Sequence, residues 1–496
     1  MFTDECRCNV WNGIRQQDLR AFGKLLTDGV FAQAAEKAGV SLGKSALSLV
    51  QLVWLGISAA MNPLRNFADV LVFALKIMQD APGWSATPLG RKQPKKQAAA
   101  SKGNRSKRPC HDPYGTDPTR ITEEAFVQAR QRMPLAFWAA LLVALGEQFQ
   151  QQHAAWVRWQ GFRLLAMDGT TIDLPAWQRL TAHFGTAKNG SSKGKTQARM
   201  VMLQMPLARM PWRYEVCPLG IGERTVAYRL LEHVGADDLV LLDQGFWSYG
   251  MFHQIARQKA FFAIRLPSHV RVHSLRRLGP KDRLVRWHKP TGPRWRGSDL
   301  PEDIDLRIIR YRLPGFRPSA VVTNMLDPHR VAAEDWVRLA VDTEAGDQRL
   351  GVGLYHRRWE IETTYYELKV TQGMEGNLRG RTPESVCYEI AGHVVLYLLT
   401  RWLMVEAAQR VKLDPLRLSF KSALNELLDI RHALITATPQ RVAQVLIPRL
   451  LDRIASHQVP FRPGRHYPRP HDTQVKNCGN GKTKSPHKLR NVTSKA

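Results

Sequence analysis

Apolar residues recur at helical spacing from Asp18 to Gln79, and again from Thr122 to Phe149 after the break at Pro134. Within the first stretch, Phe31 to Ser41 followed by Gly43 to Trp54 predicts helix, tight turn, helix. Gly39 would end the first and Ser41 would cap the second. This fits a helix-turn-helix or a plain helical hairpin equally. From Phe162 onward the pattern shortens to compact apolar runs. Phe162–Met167, Gln197–Leu207, Tyr214–Leu219, Leu239–Leu242 and Ala260–Leu266 read as strands, the second and third as a hairpin broken by Pro211. Helices are expected over Glu223–Val234 and from a Ser248 cap to Lys259. Between Pro267 and Gly351, Gly- and Pro-rich turns set off further strands at Asp282–His288, Leu306–Leu313 and Ser319–Leu326. Leu350–Gly373 then reads as one uninterrupted helix. Thr382 and Pro383 start a long helix to about Lys412, and Leu418–Leu434 forms another.

Two stretches lack any apolar period. Pro88–Pro113 carries eight lysines and arginines among Gly, Ser, Pro and Ala, and reads as a linker. After Pro460 the chain is again basic and irregular, which predicts a mobile tail.

Charge sharpens this picture. Lys and Arg total 72 against 43 Asp and Glu, a net charge of +29 and a pI near 10.2. That excess implies a polyanionic partner, most simply nucleic acid. An anionic membrane would need a basic amphipathic anchor, and none has the required apolar face. The apolar run Val394–Val405 is short and contains Arg401, so a packed helix is expected there, with no membrane partner. The opening residues lack the apolar run of a secretory signal. The six cysteines (Cys6, Cys8, Cys110, Cys217, Cys387 and Cys478) have no zinc spacing. They read as reduced thiols of a cytoplasmic protein.

Candidate chemistry lies on the Leu350–Gly373 helix. At about 100° per residue, Tyr355, Arg358, Glu362 and Lys369 share one face, beside an apolar stripe of Leu354, Ile361, Tyr365 and Leu368. Taken alone, this row suits an amphipathic helix with an Arg358–Glu362 ion pair better than a divalent metal next to phosphates, and the net charge and a pair of aspartates reverse that preference. Glu360 and Glu367 point elsewhere on the helix. Asp168 before Gly169, and Asp243 before Gln244–Gly245, each follow an apolar run. Either position suits a carboxylate delivered to a sheet edge or a turn aspartate. Three strands, helix, strand, helix, strand is the order of a mixed-sheet, ribonuclease H-like core. Asp168, Asp243 and Glu362, gathered at one edge, could hold two Mg²⁺ ions about 3.5–4 Å apart.

The motifs Asp168-Gly-Thr, Asp243-Gln-Gly-Phe and Tyr355-x2-Arg358-x3-Glu362-x6-Lys369 resemble those of bacterial insertion-sequence DDE transposases of the IS-four type. The resemblance implies an α/β, ribonuclease H-like catalytic core over 151–268 and 340–375, interrupted by a β-strand insertion at 269–339. It implies a helical DNA-binding region over 1–150 containing the basic linker 88–113, a helical region over 376–460, and a basic tail over 461–496. It further implies cut-and-paste transposition dependent on Mg²⁺, with Mn²⁺ as a substitute. Asp168, Asp243 and Glu362 would be metal ligands and catalytic residues. Tyr355, Arg358 and Lys369 would grip DNA phosphates. The partners would be terminal inverted repeats and target DNA, bound by a homodimer. The runs Glu123–Met133 and Ser419–Leu424 would face DNA. Gln244 departs from the arginine common in the family. The alternative is a catalytically inactive DNA-binding regulator of transposition.

Overall fold

Buried apolar runs pair into a single ten-stranded sheet in a computed structural model that describes residues 22, 25–42, 49–63, 123–187, 194–292, 299–312, 318–336 and 354–460. The basic linker, the basic tail, the turn at 43–48, residues 350–353, Trp295, and Cys6, Cys8, Cys110 and Cys478 lie outside the described residues. The strands are β1 (Arg158–Trp159), β2 (Phe162–Asp173), β3 (Gln197–Met205), β4 (Met210–Pro218), β5 (Asp238–Leu242), β6 (Phe261–Arg265), β7 (His273–Gly279), β8 (Asp282–His288), β9 (Asp303–Tyr311) and β10 (Ser319–Thr323). Their order is β4-β3-β2-β5-β6-β10-β9-β8-β7, with β1 paired to β2. β2, β3 and β4 are antiparallel, whereas β5 runs parallel to both β2 and β6. Those five strands, in that order and sense, have the ribonuclease H-like arrangement.

The helices are α1 (Asp28–Ala38), α2 (Leu49–Met61), α3 (Glu123–Gln131), α4 (Leu135–Gln152), α5 (Gln178–Phe184), α6 (Glu223–Leu231), α7 (Tyr249–Arg257), α8 (Glu360–Tyr366), α9 (Pro383–Arg410), α10 (Phe420–Thr436) and α11 (Ile447–Ser456). Gly39 closes α1 in the left-handed region at φ 64°, as expected of a C-terminal glycine. Thr382 and Ser385 form a reciprocal capping box, and Pro383 occupies the first turn of α9. α9 is long and apolar enough to cross a membrane by composition, yet nearly all of it is buried among the protein's own elements.

Several local expectations change. Pro211 does not break the hairpin. It lies inside β4, opposite Gln204, where the register slips by one residue. β4 is the sheet's outer strand, and an edge bulge tolerates a residue with no N–H to donate. The strands after β6 do not stand apart as a small β-unit. β10 pairs antiparallel with β6, so β7 to β10 extend the same sheet. Ser248 precedes α7 but does not cap it, because its hydroxyl meets that of Tyr228 instead. In the Glu123–Met133 run, Arg130 is buried against Glu389, Phe126 and Tyr388, so it holds α3 to α9 and is not on a DNA-facing surface. Trp287 packs with Trp247, Tyr249 and Phe252, with ring centroids 5.1–5.6 Å apart.

The helical layers meet where α2 crosses α9. A Cβ added at Gly392 would lie 2.6 Å from the Gly56 carbonyl oxygen, so two glycines let the backbones touch. Tyr388 donates to the Leu52 carbonyl at the same crossing. The contact is backbone and cannot swing aside. Gly392→Val should therefore force the helices apart and cost about 1–3 kcal/mol, read as a lowered thermal midpoint.

Candidate active site

Register brings the two aspartates together. β2 pairs with β5 through Met167 and Leu242, so the next residue on each strand is an aspartate. Asp243 leaves β5 and accepts from the Gly245 N–H, opening a short 3₁₀ turn. Asp168, expected at a strand end, lies instead in the middle of β2, which continues to Asp173 against β3. The strand outruns its parallel neighbour, and that step exposes Asp168 at the same edge as Asp243.

The third acid arrives on a helix that changes its winding. Leu354–Trp359 is a 3₁₀ turn, Glu360–Tyr366 is α-helical, and Glu367–Thr371 is a π turn. It ends at Gly373, whose φ is 74°. The predicted single helix is thus continuous from Leu354 but not uniform. Its apolar stripe is buried as expected: Leu354, Ile361, Tyr365 and Leu368 are all interior. Two phenols fasten this segment to the sheet. Tyr355 donates to the Leu242 carbonyl at 2.9 Å, one residue before Asp243, and Tyr365 donates to the Asp168 carbonyl at 2.7 Å. Tyr355 is therefore interior, with its donor spent on the backbone, and not poised as an exposed phosphate contact.

All three acids meet one guanidinium. Arg358 Nη1 lies 3.1 Å from Asp168 Oδ2. Its Nη2 lies 3.0 Å from Glu362 Oε1 and 3.6 Å from Asp243 Oδ1. The Arg358 side chain is 5% exposed, whereas those of Asp243 and Glu362 are 44% and 52% exposed. Burial disfavours the arginine's charge, but Tyr355, Asp243, Asp168 and Glu362 more than offset it and raise its pKa. Its Nε is buried without a hydrogen-bond partner among the described residues. Asp168 is the most enclosed acid. Desolvation pushes its carboxyl up to about 6, opposed by the Gly169 N–H and Arg358. Lys369 lies farther along the same edge, with Nζ 2.7 Å from the Thr171 carbonyl and 3.3 Å from Glu375. Gln244 donates to the Leu266 carbonyl.

Among the described residues, no three His, Cys, Asp or Glu side chains are already arranged around a metal position, because the three acids close on Arg358. The donor chemistry nonetheless fits a hard cation. The set is all carboxylate, and one guanidinium balances only one of three negative charges.

The opposite face of the helix holds what the sequence did not reveal. Glu360 and Glu367 are buried ion-pair partners. Arg209 donates to Glu360 at 2.8 Å and to Glu367 at 3.0 Å, Tyr397 donates to Glu367 at 2.6 Å, and Arg401 pairs with Glu367 as well. Burial alone pushes both carboxyls up. Arg209 and Arg357 at Glu360, and Arg401 and Arg209 at Glu367, more than offset that and hold both below the ordinary value. Arg209 sits at φ 52° in the β3–β4 turn, and Arg401 lies on α9. No local spacing links those residues to the helix.

Beyond Gln244 a cavity of about 1,020 Å³ opens between the site and the added strands. Arg224, Arg265, His269, Lys281, Arg310 and Arg312 line it together with Trp247, and no acid among the described residues does.

Residues 159–399, which include all three acids and Tyr355, Arg358 and Lys369, match the Transposase DDE domain family. The chain is 27% identical over 360 residues to the Transposase InsG for insertion sequence element IS4 of Escherichia coli, covering 70% of this chain and 76% of that protein. Among solved structures, a piggyBac transposase synaptic complex with hairpin DNA aligns over 91% of this chain and 87% of that one, at a TM-score of 0.37 and 9% identity.

Two outcomes follow from the electrostatics. Asp168 has a folded pKa above its unfolded value. Its contribution to stability is therefore complete below about pH 4 and lost as pH rises through about 6. In EDTA, Asp168→Asn should melt above the wild type at pH 8, by on the order of 2–3 kcal/mol, and the gap should vanish near pH 4. Glu367→Gln should cost about 3–5 kcal/mol of unfolding free energy, because it leaves Arg401 without its carboxylate in the interior; chemical denaturation reads this directly.

Proposed function

We propose that this chain, which is similar to DDE transposases of the IS4 type, cuts and joins the ends of an insertion sequence by divalent-cation-dependent, in-line phosphoryl transfer. The observation that supports this most directly is the meeting of Asp168, Asp243 and Glu362 at one guanidinium. These three acids would hold Mg²⁺, two ions in the complete site, with Mn²⁺ as a substitute. A bound cation supplies Lewis-acid stabilisation of the phosphate and a lowered pKa for the attacking hydroxyl.

The chain's own residues supply binding and orientation. Arg358 is the pivot. Its fork, which faces the three carboxylates in this structure, would serve phosphate oxygens once those acids hold cations, with the unpartnered Nε as a further donor. Lys369 adds a point charge along the same edge. Tyr355 and Tyr365 hold the helix at a fixed height over Asp243 and Asp168, so that Glu362 meets them. The cationic cavity past Gln244 is suited to a DNA strand leaving the site. The net charge of +29 suits long double-stranded DNA, comprising terminal inverted repeats and target. Two ends must be processed together, so the working form is a homodimer on DNA, in the bacterial cytoplasm.

The test is incubation of a labelled element end with Mg²⁺, resolving nicked, hairpin and joined products. The wild type should give cleaved ends that EDTA suppresses. Stable binding with no cleaved product at any Mg²⁺ or Mn²⁺ concentration would overturn this reading and leave a DNA-binding regulator. Glu362→Gln should lower cleavage at least about a hundredfold while end binding persists. Arg358→Ala should weaken end processing more than bulk DNA binding.

A further inference from the structure

The residue after Asp168 is glycine, in the middle of a strand, where glycine forfeits packing. The structure shows what occupies the space. A Cβ added at Gly169 would lie 2.7 Å from Glu223 Cδ and 3.0 Å from its Cγ. The Glu223 side chain therefore rests on the bare backbone next to Asp168. Glu223 is the first residue of α6, the helix that connects β4 to β5. The Gly169 N–H donates to Asp168 Oδ1 at 2.9 Å, and burial raises the Glu223 carboxyl above its ordinary value. Glu223 also repels both Asp168 and Asp243, and Arg199 is the cation that acts on it most strongly.

This placement is costly on its own terms. It sets a fourth negative charge against an edge where three already share one guanidinium. As a first-turn acid, Glu223 gains a modest stabilisation from its helix, a gain available without the approach to Gly169. Two features thus point the same way: a glycine whose bareness admits the carboxylate, and an acid pressed against acids.

We propose that Glu223 is a fourth acidic member of the divalent-cation pocket, acting with Asp168 and Asp243. This rests on the cation-dependent reading above. Glu362 reaches the site on the segment that also carries Arg358, whereas Glu223 comes from α6 between β4 and β5, so the two acids approach the aspartates from different elements. Gly169 is then a specificity-determining position, since any side chain there displaces the fourth carboxylate without removing its charge.

The test uses the full chain bound to a DNA duplex carrying an element end, titrated with Mn²⁺, with free ion read by electron paramagnetic resonance. The wild type should bind Mn²⁺, and Asp168→Asn should lose that binding. Glu223→Gln and Gly169→Ala should each weaken Mn²⁺ binding by about tenfold. The Mn²⁺ needed for half-maximal cleavage should rise by the same factor, with the rate recovered at saturating ion. Melting temperatures separate a structural role. Mn²⁺ affinity unchanged in both variants, with or without a lowered melting temperature, would overturn the proposal while leaving the three-acid site standing. Should Glu223→Gln fail to fold, Gly169→Ala decides alone, because only the flexible end of Glu223 must move. No Asp168-dependent Mn²⁺ binding in the wild type would remove the cation-dependent reading itself, and this proposal with it.

Discussion

One guanidinium holds the acidic edge of the sheet together. Arg358 is almost wholly enclosed and faces carboxylates from three elements: mid-strand β2, the end of β5, and its own helix. Two like charges about 4 Å apart repel by about 4 kcal/mol at a protein-surface dielectric. Three acids cannot be gathered without a cation among them. Everything else at the site serves that gathering. Parallel pairing of β2 with β5 fixes the two aspartates side by side, and two phenols set the height of the helix that brings the third acid. In the function proposed above the same guanidinium would also grip a phosphate, so holding the edge together and engaging DNA would draw on one side chain.

The sequence made the site legible because its parts are local. Asp168, Asp243 and the Tyr355–Lys369 row each sit in a short motif, and the burial of Leu354, Ile361, Tyr365 and Leu368 follows from helical spacing alone. What was illegible is long-range. Glu360 and Glu367 could be set apart from Glu362 by helical spacing, but not given partners, because Arg209 and Arg401 come from a hairpin turn and from α9. The reach of β2 past Asp168 was hidden because Gly169-Thr170-Thr171 has the composition of a turn. Only β3, paired through all three residues, makes it a strand. Pro211 misled for the converse reason. Proline is excluded from central strands, but no residue reveals by itself that its strand will be the outermost.

The helix carrying Arg358 and Glu362 is clamped on two sides with different chemistry. Toward the sheet it meets carboxylates that share one cation. Away from the sheet it presents carboxylates to Arg209, Arg357 and Arg401. The first face is under-neutralised and partly open, the second neutralised and closed. Its change from 3₁₀ to α to π winding rotates successive residues by unequal amounts, which lets one short segment satisfy both faces.

The pairing of β10 with β6 makes β7 to β10 mechanically continuous with the strands that deliver the two aspartates. A load applied at the far strand β7 passes through an unbroken ladder of main-chain hydrogen bonds to β5, which ends at Asp243. Such a ladder bends and twists as a plate and has no hinge across it. A duplex pressing on the outer strands would therefore tilt the aspartate's platform as a whole, leaving its internal spacing intact. The enzyme's adjustable parts are consequently side chains, chief among them a single arginine, and not the scaffold on which they stand.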